Sequence, residues 1–235
     1  MRPLLHLSAA AAAVSLASVA SGDLVYGGAT ETGSRFNPAS ADTITFMNCF
    51  VDATAGNQLS LDSVGVGIRR LLSAGALLAV GVEVYAAPMT YDAAAQTFGA
   101  GGAISLGQFE LATGTTALTQ VVIAAGGGTV LDLQTLSNPG LGGFWVGVRF
   151  FGANAANAAN GWRVVNAPTV GSSINGFAMY NYGGSGAFTA FYGFGTPPGA
   201  SPSRFMVDVS GTMVPAPGAL ALLGLVGAVG SRRRR

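Results

Sequence analysis

The stretch FWVGVRFF, Phe144–Phe151, decides the fold. Read with a period of two, Phe144, Val146, Val148 and Phe150 point one way and Trp145, Gly147, Arg149 and Phe151 the other. The first set is wholly apolar and the second carries the only charge, so the pattern predicts a strand with one face on a core. Runs of the same kind recur on both sides. They are Thr43–Val51, Ser60–Ile68, Val80–Tyr85, Ile104–Leu111, Leu118–Ala124, Phe177–Tyr182, Phe188–Phe194 and Phe205–Val209. Turn signals such as Asn138-Pro139-Gly140 and Asn175-Gly176 separate them. No stretch of helical period interrupts the series. The expected fold is all-β, an antiparallel two-sheet sandwich of jelly-roll type.

Composition agrees with a packed, turn-rich body. Half of the 235 residues are hydrophobic, 36 are glycine and only 9% are charged, the opposite of a disordered chain. Two segments need separate readings. Leu71–Val82 is apolar apart from Ser73, too short to span a membrane, and reads as a loop leading into a buried strand. Asn154-Ala-Ala-Asn157-Ala-Ala-Asn160 is a three-residue repeat and reads as a surface loop.

The two ends differ from this body. Arg2 precedes an apolar, alanine-rich run, Leu4–Val19, and Ser18-Val19-Ala20 is a small-x-small cleavage pattern. Residues 1–20 therefore read as a secretory signal peptide, forming a helix ahead of a body over 21–213. At the other end, residues 214–235 hold three parts in order. Val214-Pro215-Ala216-Pro217 cannot join a helix, because each proline lacks an N–H and restricts the residue before it. Gly218–Gly230 is uninterruptedly apolar. Even counted from Val214 through Ser231, a helix would reach only roughly 27 Å against a hydrocarbon core of about 30 Å, a short transmembrane helix. Arg232, Arg233, Arg234 and Arg235 then form a stop-transfer block.

There is no lysine, so all 11 basic residues are arginine. Setting aside Arg2 and the terminal four leaves six arginines against ten carboxylates, a net charge of −4. Such a body has no electrostatic footprint for nucleic acid.

The proline element, apolar helix and arginine block together resemble the PEP-CTERM sorting signal of Gram-negative bacteria. Pro215 and Pro217 match that family's two prolines, and Ala216 stands where it usually has glutamate. The resemblance implies export and a transient hold in the inner membrane. It also implies processing by an exosortase-type membrane transpeptidase, then delivery to the cell surface or extracellular matrix. The body also resembles the β-sandwiches found on such proteins. Shared features are the opening Val25-Tyr26-Gly27-Gly28, the strand Phe144–Val148, and Gly161-Trp162 ahead of Gly171–Phe177. That likeness implies no activity.

Little chemistry stands out. The one histidine, His6, lies in the signal peptide. Ser-His-Asp and Cys-His catalysis and histidine metal sites are therefore excluded from the mature body. Cys49 sits in an apolar run and reads as a small buried hydrophobe. Gly99–Gly107 is glycine-rich but lacks the P-loop lysine and reads as a turn. Asp42, Asp52, Asp62, Glu83, Asp92, Glu110, Asp132 and Asp208 are scattered one per strand or turn. Nothing pairs two of them as glycoside hydrolysis requires, and no calcium-loop pattern joins them. The expectation is a non-enzymatic protein without a cofactor, with a two-carboxylate glycoside hydrolase as an alternative. Trp145, Trp162, Tyr180, Tyr182 and Tyr192 are candidates for stacking on sugars of an exopolysaccharide, if exposed; otherwise they fill the core.

Overall fold

The computed structural model describes residues 23–38, 42–92, 97–114, 117–125, 128–135, 140–181, 188–194 and 201–215. The expected signal peptide, Ala216 and Pro217 of the expected sorting motif, the terminal arginines and the expected transmembrane helix lie outside these, as does Tyr182. Among the described residues no helix is long and apolar enough to cross a membrane.

The described chain is all-β, two antiparallel sheets in a sandwich-like arrangement, and it passes repeatedly between them. It opens in the first sheet with β1 (Asp23–Tyr26) and β2 (Glu31–Phe36). It crosses to the second for β3 (Ile44–Asp52) and returns for the long β4 (Gln58–Arg70). A single 3-10 turn at Leu72–Ala74 leads to β5 (Val80–Asp92), β6 (Thr97–Ala100) and β7 (Ile104–Leu111) in the second sheet. Next come β8 (Ala117–Ala124) and β9 (Val130–Asp132) in the first sheet, both against β4. The second sheet then takes β10 (Gln134–Thr135) and the central β11 (Leu141–Phe151). β12 (Trp162–Val165) belongs to the first sheet, β13 (Phe177–Tyr180) and β14 (Phe188–Tyr192) to the second. The chain closes in the first with β15 (Arg204–Phe205) and β16 (Val207–Val214). The apolar run after Arg70 is the expected loop into a buried strand.

The period-two reading of β11 holds. Phe144, Val146, Val148 and Phe150 join Val64, Val66 and Ile68 of β4 in the core between the sheets. β4 itself changes parity midway. Leu59 and Leu61 face the core, and so do Val64, Val66 and Ile68, because Asp62 is an extra residue opposite Ser210-Gly211 of β16. That β-bulge moves the apolar set back onto the core face. One end of the core is aromatic. Trp162 stacks on Phe205 with ring centroids 4.7 Å apart, and Phe36, Phe177 and Phe194 meet Phe205 at 5.1 to 6.4 Å.

The asparagine repeat is more than a surface loop. Asn154 and Asn157 donate to the carbonyls of Ala79 and Ala76, at 2.8 and 3.1 Å. Asn160 is fully buried, accepts from Arg70 Nε at 3.1 Å and donates to the Asn154 carbonyl at 2.9 Å. The small alanines let Ala155 and Ala159 pack inside, so the repeat fastens the Leu71–Ala79 loop to the body.

Candidate binding face on the second sheet

Register places the outward side chains of the second sheet in rows across its strands. One row holds Ala87 of β5, Trp145 of β11 and Asn48 of β3. The next holds Ser105, Tyr85, Gly147, Phe46 and Ala178. A third begins Gln108, Glu83, Arg149, and Ile44 pairs Tyr180 at its far side. A fourth holds Glu110, Gly81 and Phe151.

The first of these rows is closed. Trp145 donates its indole N–H to the Gly99 carbonyl of β6 at 2.9 Å, and Asn48 clamps the loop at Ile174 and Gly176. Ile44, Phe46, Phe50, Ala87, Met89, Trp145 and Ala178 make a second, smaller core there. Ile44, Phe46 and Ala178 of the next rows belong to that core, and around them the face has depressions of about 370 Å³ at Tyr85, Phe188 and Tyr180 and about 420 Å³ at Gln108, Glu110 and Phe151.

Glycines shape the floor. A Cβ on Gly147 would stand 2.6 Å from the Phe46 ring, so its absence lets that ring lie across β11. The Phe151 ring lies over Gly81 in the same way, with three ring atoms within 2.6 Å of where a Cβ would be.

Between the two depressions sits an ion pair. Arg149 Nη2 donates to Glu83 Oε2 at 2.5 Å, and Ser105 Oγ donates to Glu83 Oε1 at 2.7 Å. Glu83 is only 4% exposed. Burial alone would raise its pKa, but hydrogen bonds from Tyr85, Ser105, Gln108 and Arg149 outweigh it and pull it down to about 2. Burial and the bond to Glu83 push the Tyr85 phenol up. Arg149 also lies 5.9 Å from the Phe151 ring centroid and 4.0 Å from Asp42, beyond hydrogen-bond distance.

The proposed stacking residues divide. Trp145 and Trp162 are 0% and 1% exposed, so neither presents a ring to solvent; each is a core residue whose N–H is satisfied internally. Tyr180 is 40% exposed on the open face. Tyr192 is placed by its backbone alone, opposite Phe177. The sequence reading missed Tyr85, Arg149, Gln108 and Phe151 as companions of Tyr180. Their signal was present: a lone charge in each of two apolar strands, on the outward parity.

The other acids serve local ends. Asp52 accepts from the Thr54 N–H, Asp132 from Gln58, and Asp208 from the Gly28 N–H. Glu31 pairs Arg69 at 2.9 Å and also Arg163. Among the described residues no three acid, cysteine or histidine side chains converge as a metal site would need. Cys49 is buried, as its run suggests.

At the chain's far end, Val214 is the last residue of β16 and pairs with Gln58. Pro215 follows, exposed. Comparison of the chain with protein-family models, curated proteins and solved structures finds no match.

Proposed function

We propose that the chain is an exported, non-enzymatic surface or extracellular-matrix protein, processed through residues 214–235 as an exosortase-type sorting signal. The observation that carries the reading is the junction at Val214 and Pro215. Strand pairing reaches Val214, and the exposed Pro215 has no N–H to extend it. The motif thus begins at the last residue of β16, with Pro215 accessible to a membrane transpeptidase. In this reading the sandwich is a jelly roll, a signal helix precedes it, and a short apolar helix holds it in the inner membrane until processing. No cofactor is required.

In this reading Glu83 is a structural group and not a proton donor. A glycosidase acid needs a raised pKa, and this carboxylate is held ionised. Fractionation with an antibody against residues 23–215 tests the proposal. Protein in membrane and extracellular fractions is expected; protein confined to the cytoplasm would refute export.

A second reading, a carbohydrate-binding module for exopolysaccharide, is favoured by one observation. Tyr180 and the half-buried Tyr85 flank an open depression beside hydrogen-bonding groups.

A further inference from the structure

The outer face of the second sheet assigns itself a ligand class by its chemistry. We propose that the depressions on the outer face between Phe151 and Tyr180 bind pyranose units of a neutral polysaccharide, with Tyr180 as the stacking ring and Arg149 and Gln108 as hydrogen-bonding groups. This rests on the carbohydrate reading above and specifies its site.

Three observations carry it. The first is the combination of groups. A pyranose has an apolar C–H face and a rim of hydroxyls, so it needs a flat ring beside planar polar groups. Tyr180 and Tyr85 supply rings with polar edges; Arg149 and Gln108 supply planar donors in the row of Tyr180, one row from Tyr85.

The second is preorganisation. Glu83 fixes one side of the Arg149 guanidinium, and Ser105 fixes Glu83. Arg149 Nη1 lies 4.0 Å from Asp42, too far for a hydrogen bond, and so can donate to a ligand hydroxyl. Glu83 is thus a positioning residue, too buried to meet the sugar itself. Depressions of about 420 and 370 Å³ lie on either side of this pair, which suits a chain laid over the face rather than a single enclosed sugar.

The third is charge. Asp42, Glu83 and Glu110 outnumber Arg149 on this face, a local net charge of −2 in a body that is itself acidic. Polymers of uronic acids or sulfated sugars would be repelled, and neutral ones would not.

Affinity electrophoresis of the full chain tests this, in gels containing β-1,4-glucan, β-1,3-glucan, galactomannan, xylan or polygalacturonate. At least one neutral polymer should retard the protein, and polygalacturonate should not. Tyr180→Ala should weaken the retardation roughly tenfold, the loss of about one stacked ring. Gln108→Ala should weaken it less, and Val122→Ser, on β8 of the first sheet, should leave it unchanged. Both Tyr180 and Gln108 are exposed, and urea unfolding of each variant checks that its fold is kept. Retardation that survives Tyr180→Ala with Gln108→Ala places the sugar elsewhere and overturns the site while keeping the carbohydrate reading. No retardation by any polymer overturns both, and retardation by polygalacturonate alone overturns the charge argument.

Discussion

Replacing Glu83 by glutamine should cost the fold its best-connected charge, and the cost should depend on pH in a defined way. Glu83 has a folded pKa of about 2 against an ordinary 4.5. At about 1.4 kcal/mol per unit this difference is worth roughly 3 kcal/mol at neutral pH. The Glu83 side chain is 6% exposed, so solvent screening removes little of that, while Arg149 at 28% can rehydrate part of its lost contact. The expected loss for Glu83→Gln is therefore about 2 to 3 kcal/mol at pH 7. A depressed carboxylate pKa stabilises above the unfolded value and loses that contribution as pH falls through the folded value. The gap between parent and variant should accordingly be full above about pH 5 and close as pH falls toward 2. Urea unfolding followed by tryptophan fluorescence reads it directly, since Trp145 and Trp162 are both buried and will shift to the red on exposure. Adding Arg149→Met should recover part of the loss, because an unpaired guanidinium then no longer sits beside the buried glutamine. A loss below about 0.5 kcal/mol, or one that stays constant from pH 7 to 3, would refute the reasoning.

Four further outcomes follow from other parts of the molecule. Gly211→Ala should destabilise by about 2 kcal/mol or more, because a Cβ there would lie 2.4 Å from the Ser60 carbonyl at the bulge. Gly102→Ala, with nothing within 4 Å, should leave urea midpoints unchanged. Asn160→Ala removes the acceptor of the buried Arg70 Nε, a loss of about 2 kcal/mol by the same titration. The Cys49 thiol, fully enclosed and pushed well up in pKa by burial, should react with a thiol reagent only after denaturant is added.

Where alternation was unbroken, the sequence was readable. Ile104–Leu111 is a strand with the expected bounds, and β11 differs from its expected range only by a longer start. Short elements such as β2, β9, β10, β12 and β15 escaped because two to six residues carry no period of their own; their partners decide them. The parity change of β4 at Asp62 was not read from Ser60–Ile68, where the three-residue step from Leu61 to Val64 is its local trace.

The site was legible by half. Parity correctly sent Trp145 outward, yet outward from the main core is not the same as exposed. β6 returns across that face and makes Trp145 part of a second core. Glu83 and Arg149 each looked like a solitary charge, since their partnership runs across strands between residues 66 apart in the chain. The asparagine repeat was mistaken for a plain surface loop because its partners are backbone carbonyls of a distant segment, which composition cannot reveal.

The central claim, that residues 214–235 are a processed sorting signal on an exported sandwich, is tested most directly by the intact mass of protein released from the cell surface. Pro215 lies exposed at the end of β16, so cutting there leaves the sheet whole. The account predicts a mature chain that lacks Arg232–Arg235 and ends near Pro215 to Pro217. A released chain carrying its full C-terminus through Arg235 would contradict it.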